Sequence, residues 1–107
     1  ADAGAAATAE AIKAAQTAFL NWRKRTATER AGLLGNWYNL VMEHLEDLAL
    51  ILTREQGKPL AEARGEIKYG ASFIQWFSEE ARRGYGDVIP GHAQDKRITV
   101  VREPVGV

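Results

Sequence analysis

The sequence predicts a mainly α-helical piece of a larger α/β protein, with three helices followed by one to two β-strands. Two observations lead to this prediction. Apolar residues recur every three to four positions through residues 8–83, which is the period of an amphipathic helix. Residues 97–102 then form a β-branched run typical of a strand, for which no partner strand is recognisable. Three helices and an unpaired strand do not complete a domain.

The composition excludes several classes of function for these residues. The chain has 107 residues, and its 14 Lys and Arg balance its 14 Asp and Glu. A net charge of zero gives no electrostatic reason to expect nucleic acid or a membrane as partner. The chain has no cysteine, which rules out disulfides, thiolate metal sites and a thiol nucleophile within it and suits a reducing compartment. No apolar run is long enough to span a bilayer, and no signal peptide is visible.

The first predicted helix runs from Thr8 to about Lys24. Residues 1–7 are small and featureless and are expected to form a loop, so Thr8 would be the N-cap. Ile12, Phe19 and Trp22 follow at helical spacing, but the apolar stripe is thin. This helix therefore needs a partner surface to be stable.

The second predicted helix runs from a capping box at residues 26–29 to about Gln56. In such a box, the Thr26 hydroxyl accepts from the Glu29 backbone N–H, and the Glu29 carboxylate reaches back to the Thr26 N–H. The predicted apolar stripe consists of Leu33, Trp37, Leu40, Val41, His44, Leu48, Ile51 and Leu52.

Residues 55–59, Glu-Gln-Gly-Lys-Pro, predict a sharp helix–helix corner. Gly57 can adopt the left-handed conformation that ends a helix, and the fixed φ of Pro59 suits the start of the next. The third helix is predicted over about 59–83 and is apolar on two faces. One face carries Leu60, Ala63, Ile67, Ala71, Ile74 and Ala81, and the other carries Tyr69, Phe73, Trp76 and Phe77.

Glycine inside the third helix needs an explanation. Gly65 and Gly70 each cost about 1 kcal/mol relative to Ala in a helix interior, which indicates a packing or functional reason for them. After this helix, residues 87–94 are expected to form an irregular loop. The strand is predicted over 96–103, Pro104 ends it, and residues 105–107 would begin a second strand.

No catalytic, cofactor-binding or metal-ligating residue is predicted from the side chains alone. No Cys–His or Ser–His–Asp arrangement is suggested. Residues 84–86, Gly-Tyr-Gly, follow a helix and lack the third glycine of a dinucleotide fingerprint. His44 is interpreted as a packed side chain and His92 as a solvated one, because no metal-ligand spacing surrounds His44.

Several segments in order resemble the N-terminal part of an NAD(P)-dependent aldehyde dehydrogenase. The segments are Trp22-Arg23-Lys24, Thr28-Glu29-Arg30, Glu55-Gln56-Gly57-Lys58-Pro59, Glu66-Ile67 to Tyr69, Phe73 to Phe77 with Glu79-Glu80, Tyr85-Gly86-Asp87 to Pro90, and Glu103-Pro104-Val105-Gly106-Val107. No single motif is decisive for the resemblance, but the order and spacing of the segments together are specific. The pentad at 55–59 and the run at 73–80 are most similar to the succinate-semialdehyde dehydrogenase branch.

The resemblance implies an incomplete domain. Residues 1–93 would be the N-terminal helical part of the dinucleotide-binding domain, 94–103 the oligomerisation strand and 104–107 the start of the next strand. It also implies a cytoplasmic homodimer or homotetramer that oxidises succinate semialdehyde with NAD or NADP. The catalytic cysteine, which forms a thiohemiacetal with the aldehyde, and the cofactor-binding residues would lie outside the chain, so the chain alone should be inactive.

One set of residues can be assigned a role through the resemblance. Gly65 and Tyr69 match positions that line the entrance of the substrate channel, and Phe73 lies one turn further along. The alternative for Tyr69 and Phe73 is that they fill the core. For the whole protein, the alternatives are a glutarate-semialdehyde or betaine-aldehyde branch, or a non-catalytic helical interaction module.

Overall fold

A computed structural model describes residues 3–107, which contain four helices and two strands. The elements are α1 (Gly4–Trp22), α2 (Ala27–Glu43), α3 (Leu45–Gln56), α4 (Leu60–Glu80), β1 (Asp87–Pro90) and β2 (Arg97–Val100). They form two compact units. One comprises Ala27–Arg83 with α2, α3 and α4, and the other comprises the described residues up to Thr26 together with Gly84–Val107. Within residues 3–107, none of the helices has the length and apolar character needed to cross a bilayer.

The second predicted helix is divided at His44, so the prediction of three helices is wrong by one. His44 has φ −97° and ψ 20°, outside the α-helical region. Its N–H still donates to the Leu40 carbonyl oxygen at 3.1 Å, and its own carbonyl accepts from Leu48 at 3.0 Å. The break therefore interrupts the helix without leaving these backbone groups unpaired. Glu46 and Asp47 in the first turn of α3 favour a new helix N-terminus there.

The first helix begins earlier than predicted. It starts at Gly4 rather than at Thr8, because the alanines at 5–7 have the highest helix propensity. The Thr8 hydroxyl donates to the Gly4 carbonyl oxygen at 3.0 Å, so Thr8 is an internal residue and not the N-cap. No residue of α1 is buried among residues 3–107. This observation agrees with the prediction that the helix needs a partner surface.

The apolar stripe of the second predicted helix is only partly correct. α2 begins at Ala27, directly after the predicted cap Thr26. The residues buried against α4 are Ala31 and Ala49, which are 3% and 0% exposed. Several predicted stripe residues remain exposed, namely Leu33, Trp37, Leu40 and Ile51. These helices are apolar around more than one face, and periodicity alone does not show which face meets α4.

The corner between α3 and α4 is as predicted. Gly57 has φ +83°, and its N–H donates to the Thr53 carbonyl oxygen at 2.7 Å, which closes α3. Pro59 directly precedes Leu60, the first residue of α4, and its carbonyl accepts from Glu62 and Ala63 at 3.0 Å. The corner directs α4 so that it packs against both α3 and α2.

The predicted strand has a partner in the chain, so the expectation of an irregular loop is wrong for residues 87–90. β1 pairs with β2 in an antiparallel ladder in which Asp87 faces Val100 and Pro90 faces Arg97. Glycine is needed at both ends of β1, because a Cβ on Gly86 or Gly91 would overlap a carbonyl oxygen of the opposite segment. All eight side chains of the ladder are exposed, and residues 101–107 have no regular secondary structure.

Candidate functional site

Helix α4 carries the residues that the resemblance assigns to a substrate channel, and its covered face fixes its position. Ala63 and Ala71 are 0% and 1% exposed, and Ile67 and Ile74 on the same face are half-buried. Because alanine is small, α4 approaches α2 and α3 closely along this line. The predicted apolar stripe of α4 is therefore confirmed.

The second face of α4 is aromatic and exposed. Tyr69 is 67% exposed, and Phe73, one turn later, is 48% exposed. Their rings meet edge to face, with centroids 4.9 Å apart and planes at 82°. Trp76 and Phe77 extend the surface and are 63% and 58% exposed. An exposed aromatic surface of this extent is typical of a face that meets a ligand or another part of a protein.

Gly65 lies one turn before Tyr69 and has open space around it. A Cβ at this position would meet no atom within 4 Å. Packing among the described residues therefore does not require glycine here, although glycine weakens a helix interior. The missing side chain leaves the surface beside Tyr69 open, which is the property that a channel wall needs.

A groove of about 640 Å³ runs along one side of α4. Tyr69, Gly70 and Phe73 of α4 line it, and Trp37 of α2 and Leu52 of α3 lie across from them. The structure thus brings Tyr69 and Phe73 together in one surface, whereas Gly65 is not among the residues of this groove. Trp37 was assigned to the buried stripe by its spacing, but it is 56% exposed and borders the groove. No sequence signal distinguishes it from its buried neighbours.

Two ion pairs lie next to Gly65 in sequence. Arg64 of α4 binds the carboxylate of Glu46 in α3, with Nε 2.9 and 3.0 Å from the two oxygens and Nη2 2.8 Å from Oε2. Glu66 accepts from the Lys58 ammonium in the corner. The hydrogen bonds from Arg64 lower the pKa of Glu46, and Glu46 in turn raises the pKa of Arg64. Sequence reasoning missed the Arg64–Glu46 pair, whose partners are 18 positions apart.

The groove beside α4 is a mainly apolar surface. Tyr69 supplies one hydroxyl at the tip of an apolar ring, and the other side chains that line the groove are apolar apart from Glu66, which pairs with Lys58. His44 lies outside the groove, 4.0 Å from Asp47 through its Nδ1. The sequence holds no cysteine. The groove therefore offers apolar contacts and the Tyr69 hydroxyl.

Comparison with known proteins identifies the family. The sequence model of the aldehyde dehydrogenase family matches residues 1–107. The chain belongs to the aldehyde dehydrogenase family. Members of this family are oxidoreductases, and the predicted family resemblance is confirmed.

Individual aldehyde dehydrogenases agree over almost the whole chain. The chain is 61% identical to the succinate-semialdehyde dehydrogenase [NADP(+)] GabD of Escherichia coli. It is 59% identical to a glutarate-semialdehyde dehydrogenase of Pseudomonas aeruginosa, and each match covers 97% of the chain. The chain spans 22% of the length of each relative.

Solved aldehyde dehydrogenase structures also match. The crystal structure of succinate-semialdehyde dehydrogenase from Burkholderia pseudomallei superposes with a TM-score of 0.88 at 60% identity, covering 96% of this chain and 21% of that one. A betaine aldehyde dehydrogenase from Staphylococcus aureus, solved in complex with NAD+, matches with a TM-score of 0.81 at 30% identity over 89% of this chain and 19% of that one. The predicted α/β parent fold is therefore supported.

Proposed function

We propose that the chain is the N-terminal portion of an aldehyde dehydrogenase that oxidises succinate semialdehyde to succinate with NAD(P)+. The observation that carries this proposal is the 61% identity to an enzyme named for that reaction, over 97% of the chain. The nucleophile would be a cysteine outside these residues, which forms a thiohemiacetal with the aldehyde. NAD or NADP would also be bound by residues outside the chain, so these residues alone should be inactive.

In this proposal, Gly65, Tyr69 and Phe73 line the passage through which the aldehyde reaches the nucleophile. Three features of α4 support the assignment. Position 65 is open, Tyr69 is 67% exposed, and the rings of Tyr69 and Phe73 form one edge-to-face surface. An apolar wall with one hydroxyl would contact the methylene groups of a semialdehyde and offer one hydrogen bond. These residues would orient the substrate but take no part in bond making.

The remaining assignments concern the parts of the whole enzyme. Residues 1–93 would belong to the dinucleotide-binding domain, 94–103 to the oligomerisation strand of a homodimer or homotetramer, and 104–107 to the next strand. The exposure of this segment supports the second assignment, since Val101 is 71% exposed and Ile98 and Val100, within β2, are 37% and 39% exposed. A cytoplasmic location remains a prediction.

A glutarate-semialdehyde dehydrogenase is the second candidate function. The 59% identity to such an enzyme is nearly as high as that to the succinate-semialdehyde dehydrogenase. The two substrates differ by one methylene group, which is worth about 10- to 200-fold in a selective pocket. A betaine-aldehyde branch has weaker support, with 30% identity. Membership of the family argues against a non-catalytic helical module.

Steady-state kinetics of the full-length enzyme test the proposal. Reduced cofactor is followed by absorbance with succinate semialdehyde, glutarate semialdehyde and betaine aldehyde, each with NAD+ and with NADP+. The proposal expects the highest kcat/KM for succinate semialdehyde. A higher kcat/KM for glutarate semialdehyde would establish the second candidate instead. No cofactor reduction with any of the aldehydes would contradict both.

A further inference from the structure

Gly65 has no side chain of its own, but both of its neighbours in sequence are held by ion pairs. Arg64 binds Glu46 in the first turn of α3, and Glu66 binds Lys58 in the corner between the helices. The two pairs have different partners and opposite charge order: Arg64 supplies the positive charge in the first, and Glu66 supplies the negative charge in the second. The backbone of Gly65 is therefore tied to α3 on one side and to the corner on the other.

The Arg64–Glu46 pair is the more directional of the two contacts. Three hydrogen bonds of 2.8 to 3.0 Å join the guanidinium to both carboxylate oxygens. A two-pronged contact fixes the plane of the guanidinium as well as its distance, which a single ammonium contact does not. The Arg64 side chain is 40% exposed and that of Glu46 65%. Removing the pair is therefore expected to shift α4 without unfolding the protein.

We propose that Arg64 is a positioning residue for the substrate-channel wall, because its contact with Glu46 fixes where Gly65 and Tyr69 lie relative to α3. This inference rests on the proposed function of α4 as a channel wall. Arg64 precedes Gly65 directly, and Tyr69 follows Gly65 by one helical turn. A small rotation of the first half of α4 would move both residues together.

The proposal predicts a specific kinetic pattern. Loss of the pair should raise KM for the aldehyde about two- to fivefold, the factor that corresponds to the usual strength of an exposed ion pair. The kcat value and KM for the cofactor should stay unchanged, because Arg64 touches no reacting group. A purely structural role would instead lower the fraction of active enzyme, and so lower the apparent kcat without changing KM for the aldehyde.

The experiment compares four variants of the full-length enzyme. Arg64→Met and Glu46→Gln each remove the pair, and the double variant Arg64→Glu/Glu46→Arg reverses it. Arg83→Met is the matched control, because Arg83 pairs with Glu80 at 2.9 Å near the end of the same helix. We expect a raised KM for the aldehyde in both single variants, recovery in the double variant, and no change in the control.

Two results would overturn the proposal. One is an aldehyde KM equal to that of the wild type in both Arg64→Met and Glu46→Gln. The other is a raised KM that the charge-reversed variant does not restore, since that would show a role of the individual side chains and not of their contact. If Arg64→Met does not fold, Glu46→Gln, which changes one atom, together with the reversed double variant still decides the matter.

A parallel Tyr69→Ala variant separates this inference from the proposed function. If Tyr69→Ala raises KM for the aldehyde while the Arg64 and Glu46 variants do not, the wall exists and Arg64 does not position it. If none of these variants changes KM for any aldehyde, the wall itself is wrong.

Discussion

The Ser78 hydroxyl donates a hydrogen bond of 2.8 Å to the carbonyl oxygen of Ala31, which joins the last turns of α4 to the start of α2. Ala31 is 3% exposed, so this contact lies at the covered face of the two helices. Gly35, one turn further along α2, lies beside the same hydroxyl, because a Cβ there would be 3.6 Å from Ser78 Oγ, an ordinary van der Waals distance. This end of α4 is thus held by a directional contact as well as by packing.

Ser78→Ala should destabilise the enzyme. The change removes a part-buried hydrogen bond and is expected to lower the free energy of unfolding by about 1 kcal/mol. Ser72→Ala is the matched control, because its hydroxyl donates to the Tyr69 carbonyl oxygen within the same helix and is exposed. The control should stay within about 0.5 kcal/mol of the wild type. Urea denaturation of the full-length variants measures both effects, and equal losses would contradict the assigned role of Ser78.

Gly65→Ala should separate stability from substrate binding. The added methyl group meets no atom within 4 Å and favours the helix, so the free energy of unfolding should rise by about 0.5–1 kcal/mol. If position 65 faces the passage, the same methyl group should raise KM for the aldehyde. Gly32→Ala in α2 is the control, since it also has open space around it. It should raise stability similarly and leave KM unchanged. A Gly65→Ala enzyme with normal KM would argue against the assignment of Gly65.

The Arg64–Glu46 pair should contribute to stability in a pH-dependent way. Arg64, with a smaller effect of Lys68, holds the pKa of Glu46 below its ordinary value in the folded protein. A carboxyl group with a lowered folded-state pKa contributes stability above its unfolded pKa, and this contribution is lost as the pH falls through the folded value. The difference in urea midpoint between the wild type and Glu46→Gln should therefore shrink towards acidic pH. A difference that stays constant with pH would contradict this account.

Local signals in the sequence were sufficient to predict the corner between α3 and α4 and the covered face of α4. Gly57 and Pro59 act through their own backbone restrictions, so their effect does not depend on distant contacts. The division at His44 was not predictable in the same way, because no glycine or proline marks it. β1 was missed because Pro90 and Gly91 resemble a loop, whereas the ladder depends on the approach of a second strand.

Only part of the candidate site on α4 was predictable from the sequence. The aromatic face with Tyr69 and Phe73 follows from spacing, and its role from the family resemblance. The Arg64–Glu46 pair depends on the packing of α4 against α3, which spacing within one helix does not show. Trp37 illustrates the same limit, since its helix is apolar on several sides and only the packing with α4 decides which are covered.

The central claim is that the face of α4 with Tyr69 forms part of the aldehyde passage, and Tyr69→Ala in the full-length enzyme tests it most directly. Tyr85→Ala is the matched control, because Tyr85 is also 67% exposed but lies outside α4. The measurement is KM for succinate semialdehyde and for glutarate semialdehyde. We expect Tyr69→Ala to raise KM for at least one of the two semialdehydes and Tyr85→Ala to change neither. Unchanged KM values for both semialdehydes in Tyr69→Ala would contradict the claim.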